Sequence, residues 1–187
     1  MKNKIKHIVL TIMLIIATLM TSCTKSDNEV EWGITKIYMP QAYTGTAFYA
    51  VPNGKNYSID TINNKINISL GVYRSKLQKL ESFSVQVAID NDTINELINN
   101  GLIAKTALMP SEIYTIPSSV VVPDGKRDMS FNLILDKDKL MAFKNNPTNN
   151  GLSLALAVYI SNPTKYELNI ALSKTIVIVN VAKLLSN

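Results

Sequence analysis

Carboxylates are the side chains of this 187-residue chain whose spacing first invites a chemical reading. Asp90, Asp92 and Glu96 form the densest acidic group. A calcium loop of the EF type wants Gly at its sixth position and Glu at its twelfth. Counted from Asp90, those positions hold Asn95 and Gly101, so the pattern fails. A strand end followed by a capped helix is the plainer reading, because Asp is an ordinary cap residue. Asp136 and Asp138 could each pair with a further carboxylate for glycoside hydrolysis, which needs two carboxyls ~5–10 Å apart across a cleft. Lys137 and Lys139 interleave them, as in a solvated loop. Ser118 and Ser119 lie at a strand entrance, and no histidine beyond His7 near the amino terminus could activate them, which argues against a serine triad. Lys55, Lys126 and Arg127 read as solvated turn residues. Aromatic rings are the remaining handle, since sugars dock their apolar faces on exposed Trp or Tyr. Trp32, Tyr43, Tyr49 and Tyr57, with Phe48, crowd the early part of the chain and are the candidate ligand-binding residues. Half-buried core or an interface with a partner protein is the competing reading for them.

The one thiol, Cys23, has a more specific setting. Met1 to His7 is a basic start with Lys2, Lys4 and Lys6. Ile8 to Met20 follows, apolar except for Thr11 and Thr18, and then Thr21 and Ser22 lead into Cys23. A basic segment, a short apolar run and small residues before a cut make a secretory signal. A membrane-spanning helix needs ~20 apolar residues, and this run is shorter. Leu19-Met20-Thr21-Ser22-Cys23 resembles a bacterial lipobox, with Met20 where Leu is commoner. That resemblance implies a diacylglycerol on the Cys23 thiol, a signal peptide over residues 1–22 and anchorage in outer-membrane lipid. An ordinary signal peptide with a cysteine nearby is the alternative.

Cleavage changes the chemistry that the rest of the chain can carry. The formal charge of +5 falls to +2 once three of the 19 basic residues leave while all 14 acidic ones stay. No Lys/Arg stripe of the kind a phosphate backbone demands is present, so no nucleic-acid partner is expected. The single histidine, His7, leaves with the signal. That removes the commonest general base and the commonest transition-metal ligand. A lipidated Cys23 is lost to nucleophilic catalysis, disulfides and zinc alike. The expectation is a domain without metal, cofactor or catalytic residues, held together by its core.

Residues 23–33 are polar and read as a tether. Lys25 followed by Asp27 and Glu29 resembles an export tag to the outer face of the outer membrane; a solvated linker reads equally well. Beyond it the pattern is strand-like. Candidate strands are Ile34–Met39, Thr46–Val51, Lys65–Val72, Phe83–Ile89, Ser119–Val122, Met129–Leu135, Leu152–Ile160 and Thr175–Val181. Phe83, Val85, Val87 and Ile89 alternate with Ser84, Gln86 and Ala88, the signature of a half-buried strand. Pro123-Asp124-Gly125-Lys126 predicts a tight turn, with Met129–Leu135 returning as the hairpin partner of Ser119–Val122. Thr93-Ile94-Asn95-Glu96 has the spacing of a capping box, and Gly101 that of a helix stop. Asp136–Phe143 suggests a second helical turn with Leu140 and Phe143 inward. Many short strands, frequent turns and one short helix point to an all-β, immunoglobulin-like β-sandwich over residues 34–187.

The order of features carries a family resemblance. Ile37-Tyr38-Met39-Pro40-Gln41-Ala42, the strand ending in Asp90, the segment bearing Asn95, and above all Met109-Pro110, Tyr114-Thr115-Ile116 and Val120–Lys126 carry it. Together they resemble an uncharacterised β-sandwich domain at the N-terminus of Bacteroidetes surface lipoproteins. The resemblance covers roughly residues 34–181. In that family the domain precedes glycan-binding or glycoside-hydrolase modules encoded in polysaccharide-utilisation loci, and it brings no catalytic residues. It implies a non-enzymatic, lipid-anchored, surface-exposed module of the outer membrane that binds a glycan or similar ligand as an accessory. No downstream lectin or catalytic module follows in this chain, which weakens a direct transfer of glycan binding. The alternative is a structural or adhesion lipoprotein that binds an outer-membrane protein.

Overall fold

Ile66, Ile68, Leu70 and Val72 are buried, whereas Asn67, Ser69 and Tyr73 at alternate positions stay half-buried, and Gly71 is covered. That period-2 alternation makes Lys65–Arg74 (β4) a strand with one face in the core. The computed structural model describes residues 33–45, 47–75 and 80–186. Within it β4 is the axis of the first sheet, sheet A. It pairs antiparallel with Asp128–Asp136 (β9) from Lys65↔Asp136 to Tyr73↔Asp128. Its other edge is shared by Tyr57–Asp60 (β3) and Lys36–Tyr38 (β1). Glu167–Leu168 (β11) adds parallel to β1, and Tyr114–Thr115 (β7) adds antiparallel to β9.

Sheet B is built on Ser153–Ser161 (β10). Lys174–Val179 (β12) runs antiparallel along one edge of β10, with Tyr49–Val51 (β2) parallel beyond it. The other edge takes Thr106–Leu108 (β6) in parallel, and then Phe83–Ile89 (β5) antiparallel with Ser119–Val122 (β8) outside it. The two sheets enclose one apolar core that includes Ile68, Leu70, Leu133, Val85, Leu156 and Val177. The fold is the β-sandwich that the alternating pattern implies.

Among the described residues three short α-helices complete it. Asn91–Asn99 (α1) lies on the outward face of sheet B, where Ile94, Leu97 and Ile103 pack with Ala155, Ala157 and Ile176. Strand β10 is therefore buried on both faces, which is why it reads as an unbroken apolar run. Lys137–Asn145 (α2) and Val181–Leu184 (α3) contribute Leu140, Val181 and Leu184 to the inter-sheet core. Helix α1 ends as its sequence predicts. Gly101 takes φ +69°, and the Asn100, Gly101 and Leu102 amides bond back to the carbonyls of Glu96, Ile98 and Leu97.

Two sequence expectations change. The N-cap of α1 is Asp90, not Thr93, because the Asp90 carboxylate accepts the Thr93 amide at 3.1 Å and the Thr93 hydroxyl at 2.7 Å. The Thr93 side chain is thus spent as a donor within the first turn. Strands β8 and β9 are not a hairpin either: β8 pairs with β5 in sheet B and β9 with β4 in sheet A. The Pro123–Arg127 turn crosses from one sheet to the other.

That crossing is held by a buried cation. Arg74, at the end of β4, is wholly inaccessible to solvent. Its guanidinium donates to the carbonyl of Glu81 at 2.5 Å, to the Tyr166 hydroxyl at 3.1 Å, and to the carbonyls of Pro123 and Lys126. It also lies over the rings of Phe83 and Tyr166, 5.2 and 5.6 Å from their centroids. Among the described residues no carboxylate pairs with it, and its Nε is buried without a partner. Carbonyl dipoles and ring faces therefore replace its hydration.

Arg74→Met should destabilise the fold by about 3 kcal/mol, because several carbonyls lose a charged donor while remaining buried. Ala157→Leu should cost about 1–3 kcal/mol by lifting α1 from β10. Urea unfolding followed by circular dichroism measures both; a change below a few tenths would contradict the roles given to Arg74 and Ala157.

Candidate functional site

The outward faces of the two sheets hold the polar and aromatic side chains that could meet a ligand. On sheet B, α1 covers only part of the face. Beyond its N-terminus a shallow recess of about 530 Å³ is lined by Ile89, Asp90, Asn91, Asp92, Tyr159 and Lys174. Tyr159 and Lys174 are opposed across β10 and β12, with Ala88 on the other side of Tyr159. The Lys174 ammonium reaches the Asp90 carboxylate at 2.5 Å and the Thr93 hydroxyl at 2.7 Å. This bond to Lys174, assisted by those from Thr93, outweighs partial burial and holds the Asp90 carboxyl at a pKa of about 2. Asp90 thereby joins the end of β5, the first turn of α1 and the start of β12. Its hydrogen-bonding capacity is used internally, which makes it a structural carboxylate rather than a free acid or base.

Asp136 is engaged in the same way. It caps α2 by accepting the Lys139 amide at 3.1 Å and pairs with the Lys65 ammonium at 2.6 Å. The hydrogen bond from Lys65 is the main reason its pKa is lowered. Asp138 accepts from the Asn64 side-chain amide at 2.7 Å. These carboxylates tie the β3–β4 turn and the start of β4 to α2; they do not face one another across a cleft. Asp92 and Glu96 are exposed on α1, and among the described residues no group of three or more potential metal ligands comes together.

The predicted aromatic platform is not assembled. Tyr43 stacks on Phe48, with centroids 5.0 Å apart and planes at 15°, against the apolar cluster outside sheet B. Tyr49 and Tyr57 pack instead against the core between the sheets. The physical reason for Tyr49 is an open edge. Between its pairings with β3 and β1, β4 has a gap, and side chains close it. The Tyr49 hydroxyl donates to the Ser69 carbonyl at 3.0 Å, and Gln41 accepts the Gly71 amide at 3.2 Å. Burial pushes the Tyr49 phenol up, against a smaller opposing effect from Asn56. Tyr43 is thus separated from Tyr49 and Tyr57, and the three do not form one exposed platform. Trp32 and Cys23 lie outside the described residues.

A different set of residues shares the outward face of sheet A. Tyr73, Ser69 and Asn67 of β4 stand beside Asp128, Asn132 and Ile134 of β9, with Gly71 opposite Ser130. Tyr38 of β1 is opposed to Tyr73, their ring centroids 6.0 Å apart. A Cβ on Gly71 would meet Tyr73 Cε2 at 3.1 Å and Pro40 Cγ at 3.4 Å, so the Tyr73 ring leans over the glycine along the sheet. Asn132 and Ile134 also line a shallow concavity of about 380 Å³ with Thr115, Ile116 and Pro117. Ser130 and Asn132 are exposed, and Tyr38, Asn67, Ser69, Tyr73 and Ile134 are half-buried. Sequence reasoning passed over these positions because each is an ordinary outward residue of its own strand. Only Tyr73, an aromatic at the outward parity of an otherwise polar row, carries a local signal.

The family model described as "-like, N-terminal domain" matches residues 34–167. The chain belongs to this family. No curated protein matches its sequence. Among solved structures, a Bacteroides ovatus protein provisionally named a carbohydrate binding protein is 11% identical. The match covers 78% of this chain and 36% of that one, with a TM-score of 0.54. A multidomain protein including DUF1735, also from Bacteroides ovatus, is 15% identical over 79% of this chain and 45% of its own, with a TM-score of 0.51. An auxiliary nutrient binding protein from Bacteroides thetaiotaomicron is 18% identical over 84% and 47%, with a TM-score of 0.47. The chain thus spans less than half the length of each of these structures. The first two similarities establish the sandwich shared with this N-terminal domain family.

The Asp90 geometry makes stability depend on pH. The folded-state pKa of about 2 lies below the ordinary aspartate value, so the contribution is complete above about pH 4 and is lost as pH falls toward 2. Asp90→Ala should lower stability by about 1–2 kcal/mol at pH 7, through the lost cap and the freed Lys174. The difference from the parent should shrink steadily on acidification from pH 4 to pH 2. Equal destabilisation at both ends of that range would contradict the ionic part of the interaction.

Proposed function

We propose that this protein is a non-catalytic, lipid-anchored accessory module of the outer membrane that binds glycan in a polysaccharide-uptake system. The observation that carries the binding reading is the outward face of sheet A. Tyr38 and Tyr73 adjoin a row of serine and asparagine side chains there, and no carboxylate pair suited to bond cleavage accompanies them. Aromatic rings offer a surface to the apolar face of a sugar, and amides and hydroxyls exchange hydrogen bonds with its hydroxyls. Similarity in fold to the Bacteroides ovatus protein provisionally named a carbohydrate binding protein supports the same reading. The non-catalytic part rests on Asp90, Asp136 and Asp138, which are occupied in capping, ion-pairing and loop closure.

Anchorage rests on the residues before Cys23. Among the described residues no helix is long and apolar enough to cross a membrane. A diacylglycerol on Cys23 supplies attachment by another route, at about 0.8 kcal/mol per buried CH₂. Mass spectrometry of the protein from its native membrane should find Cys23 as the modified amino-terminal residue, and Cys23→Ala should leave the membrane fraction. A free Cys23 thiol would overturn the anchor. For the binding function, the full chain in detergent should retain polysaccharides on a glycan array without releasing reducing ends. Silence across plant and host glycans would overturn that part, and release of sugar would overturn the non-catalytic part.

A further inference from the structure

The glycan reading leaves open whether the ligand is a chain end, a charged polymer or a neutral strand. We propose that the outward face of sheet A holds an internal segment of an extended, uncharged polysaccharide lying along β4 and β9; the proposal rests on the glycan reading above.

The first argument is from charge. Across the rows Gly71/Ser130, Ser69/Asn132 and Asn67/Ile134 no side chain is ionised. Among the described residues of β4 and β9, the outward charges stand at the ends of the face. Asp128 lies opposite Tyr73, and Lys65 and Asp136 form their own pair at 2.6 Å. A polyuronate or sulfated chain would find no cation to match it along this stretch; it would meet Asp128 at one end and, at the other, a lysine already paired with Asp136. An uncharged chain loses nothing there, since hydroxyls and amides both donate and accept.

The second argument is from shape and length. The Tyr38–Tyr73 pair marks one end of the row, and the concavity lined by Asn132, Ile134, Thr115, Ile116 and Pro117 marks the other. Tyr73 and Asn67 are six positions apart on one strand, which spans roughly 20 Å. Between them Ser130 and Asn132 are exposed, Ser69 is half-buried and Gly71 is covered by the Tyr73 ring; neither end is a closed pocket that would capture a single terminal residue. Sheet B has no equivalent, because α1 lies on its outward face.

The third argument separates a glycan from a protein partner. Protein interfaces concentrate apolar and aromatic side chains at a dry centre and put polar groups at the rim. This face has the reverse order: Ser69, Ser130 and Asn132 are central, and Tyr73 and Ile134 are peripheral.

Affinity electrophoresis of the full chain in detergent tests the proposal, with galactomannan, xyloglucan and mixed-linkage β-glucan as neutral probes and polygalacturonate as the charged one. Retardation is expected with at least one neutral polymer and not with polygalacturonate. Affinity for oligosaccharides cut from the retained polymer should rise with length until the row between Tyr73 and Asn67 is filled. Tyr73→Ala should weaken binding by about tenfold. Because Tyr73 also covers Gly71, Asn132→Ala is the second variant. Asn132 is exposed, and among the described residues it makes no side-chain hydrogen bond, so the fold should be unaffected while affinity falls by at least about threefold. Unchanged binding by both variants would overturn this face as the site while leaving the glycan reading intact. Full binding of a disaccharide, or preference for polygalacturonate, would overturn the extended neutral ligand. Failure of the parent chain to bind any glycan would overturn both readings together.

Discussion

Ala155 and Ala157 leave room for α1 to lie directly on β10, and that contact settles which parts of the sandwich meet solvent. A larger residue at either position would hold the helix off the sheet, and Ile94 and Leu97 would lose their burial. With α1 seated, the middle of sheet B is apolar on both faces and serves as scaffold. Sheet A keeps one apolar face in the core and turns the other outward. The asymmetry follows from side-chain volume on a single strand. It assigns the open surface to β4 and β9 and confines the exposed part of sheet B to the recess around Asp90, Tyr159 and Lys174.

Arg74 solves a different problem. A sandwich needs its chain to pass between sheets, and each crossing leaves backbone groups without ladder partners. The Pro123–Arg127 turn and the carbonyl of Glu81 converge on one guanidinium, whose fork of donors can serve several acceptors at once. The Gly125 amide bonds to the Leu80 carbonyl at 2.7 Å in the same region, where a positive φ of 73° suits glycine. A lysine could not bridge the same acceptors from a single planar group. The choice of arginine at the buried end of β4 is thus explained by geometry, even though no acid among the described residues neutralises it.

The carboxylates show how chemistry-bearing residues become architecture. In sequence Asp90 failed the calcium-loop pattern and read as a cap, and Asp136 and Asp138 read as a solvated loop more than as a hydrolytic pair. In the fold Asp90 and Asp136 each cap a helix and each hold a lysine from a distant strand. The same use of polar groups closes the gap in the edge of β4, where Tyr49, Gln41 and Asn56 bond to Ser69 and Gly71. Polar side chains that might have addressed a ligand are thereby committed, whereas Ser130 and Asn132 on the outward face of sheet A are exposed.

The strands with clean alternation or long apolar runs were legible from residue order, as were the stop at Gly101, the helical turn after Asp136 and the sandwich class. Each depends on the period of neighbouring side chains, which is a local property. Strand β3 was missed because Tyr57–Asp60 has little periodicity of its own, and it is a strand because β4 pairs with it. The supposed hairpin of β8 and β9 failed for a related reason: a turn signal shows that the chain reverses, but not which sheet receives the next strand. The tyrosines at 43, 49 and 57 are near in sequence but divided between two environments, Tyr43 outside sheet B and Tyr49 and Tyr57 against the core between the sheets. Asn132 and Tyr73 are distant in sequence and share one face, since β4 and β9 pair in register. Residue order alone determined the strand-forming pattern, the short apolar run before Cys23 and the scarcity of catalytic side chains. Pairing and burial decided which side chains stand together in solvent, because neighbours across a sheet are chosen by register and packing over distances that no local pattern records.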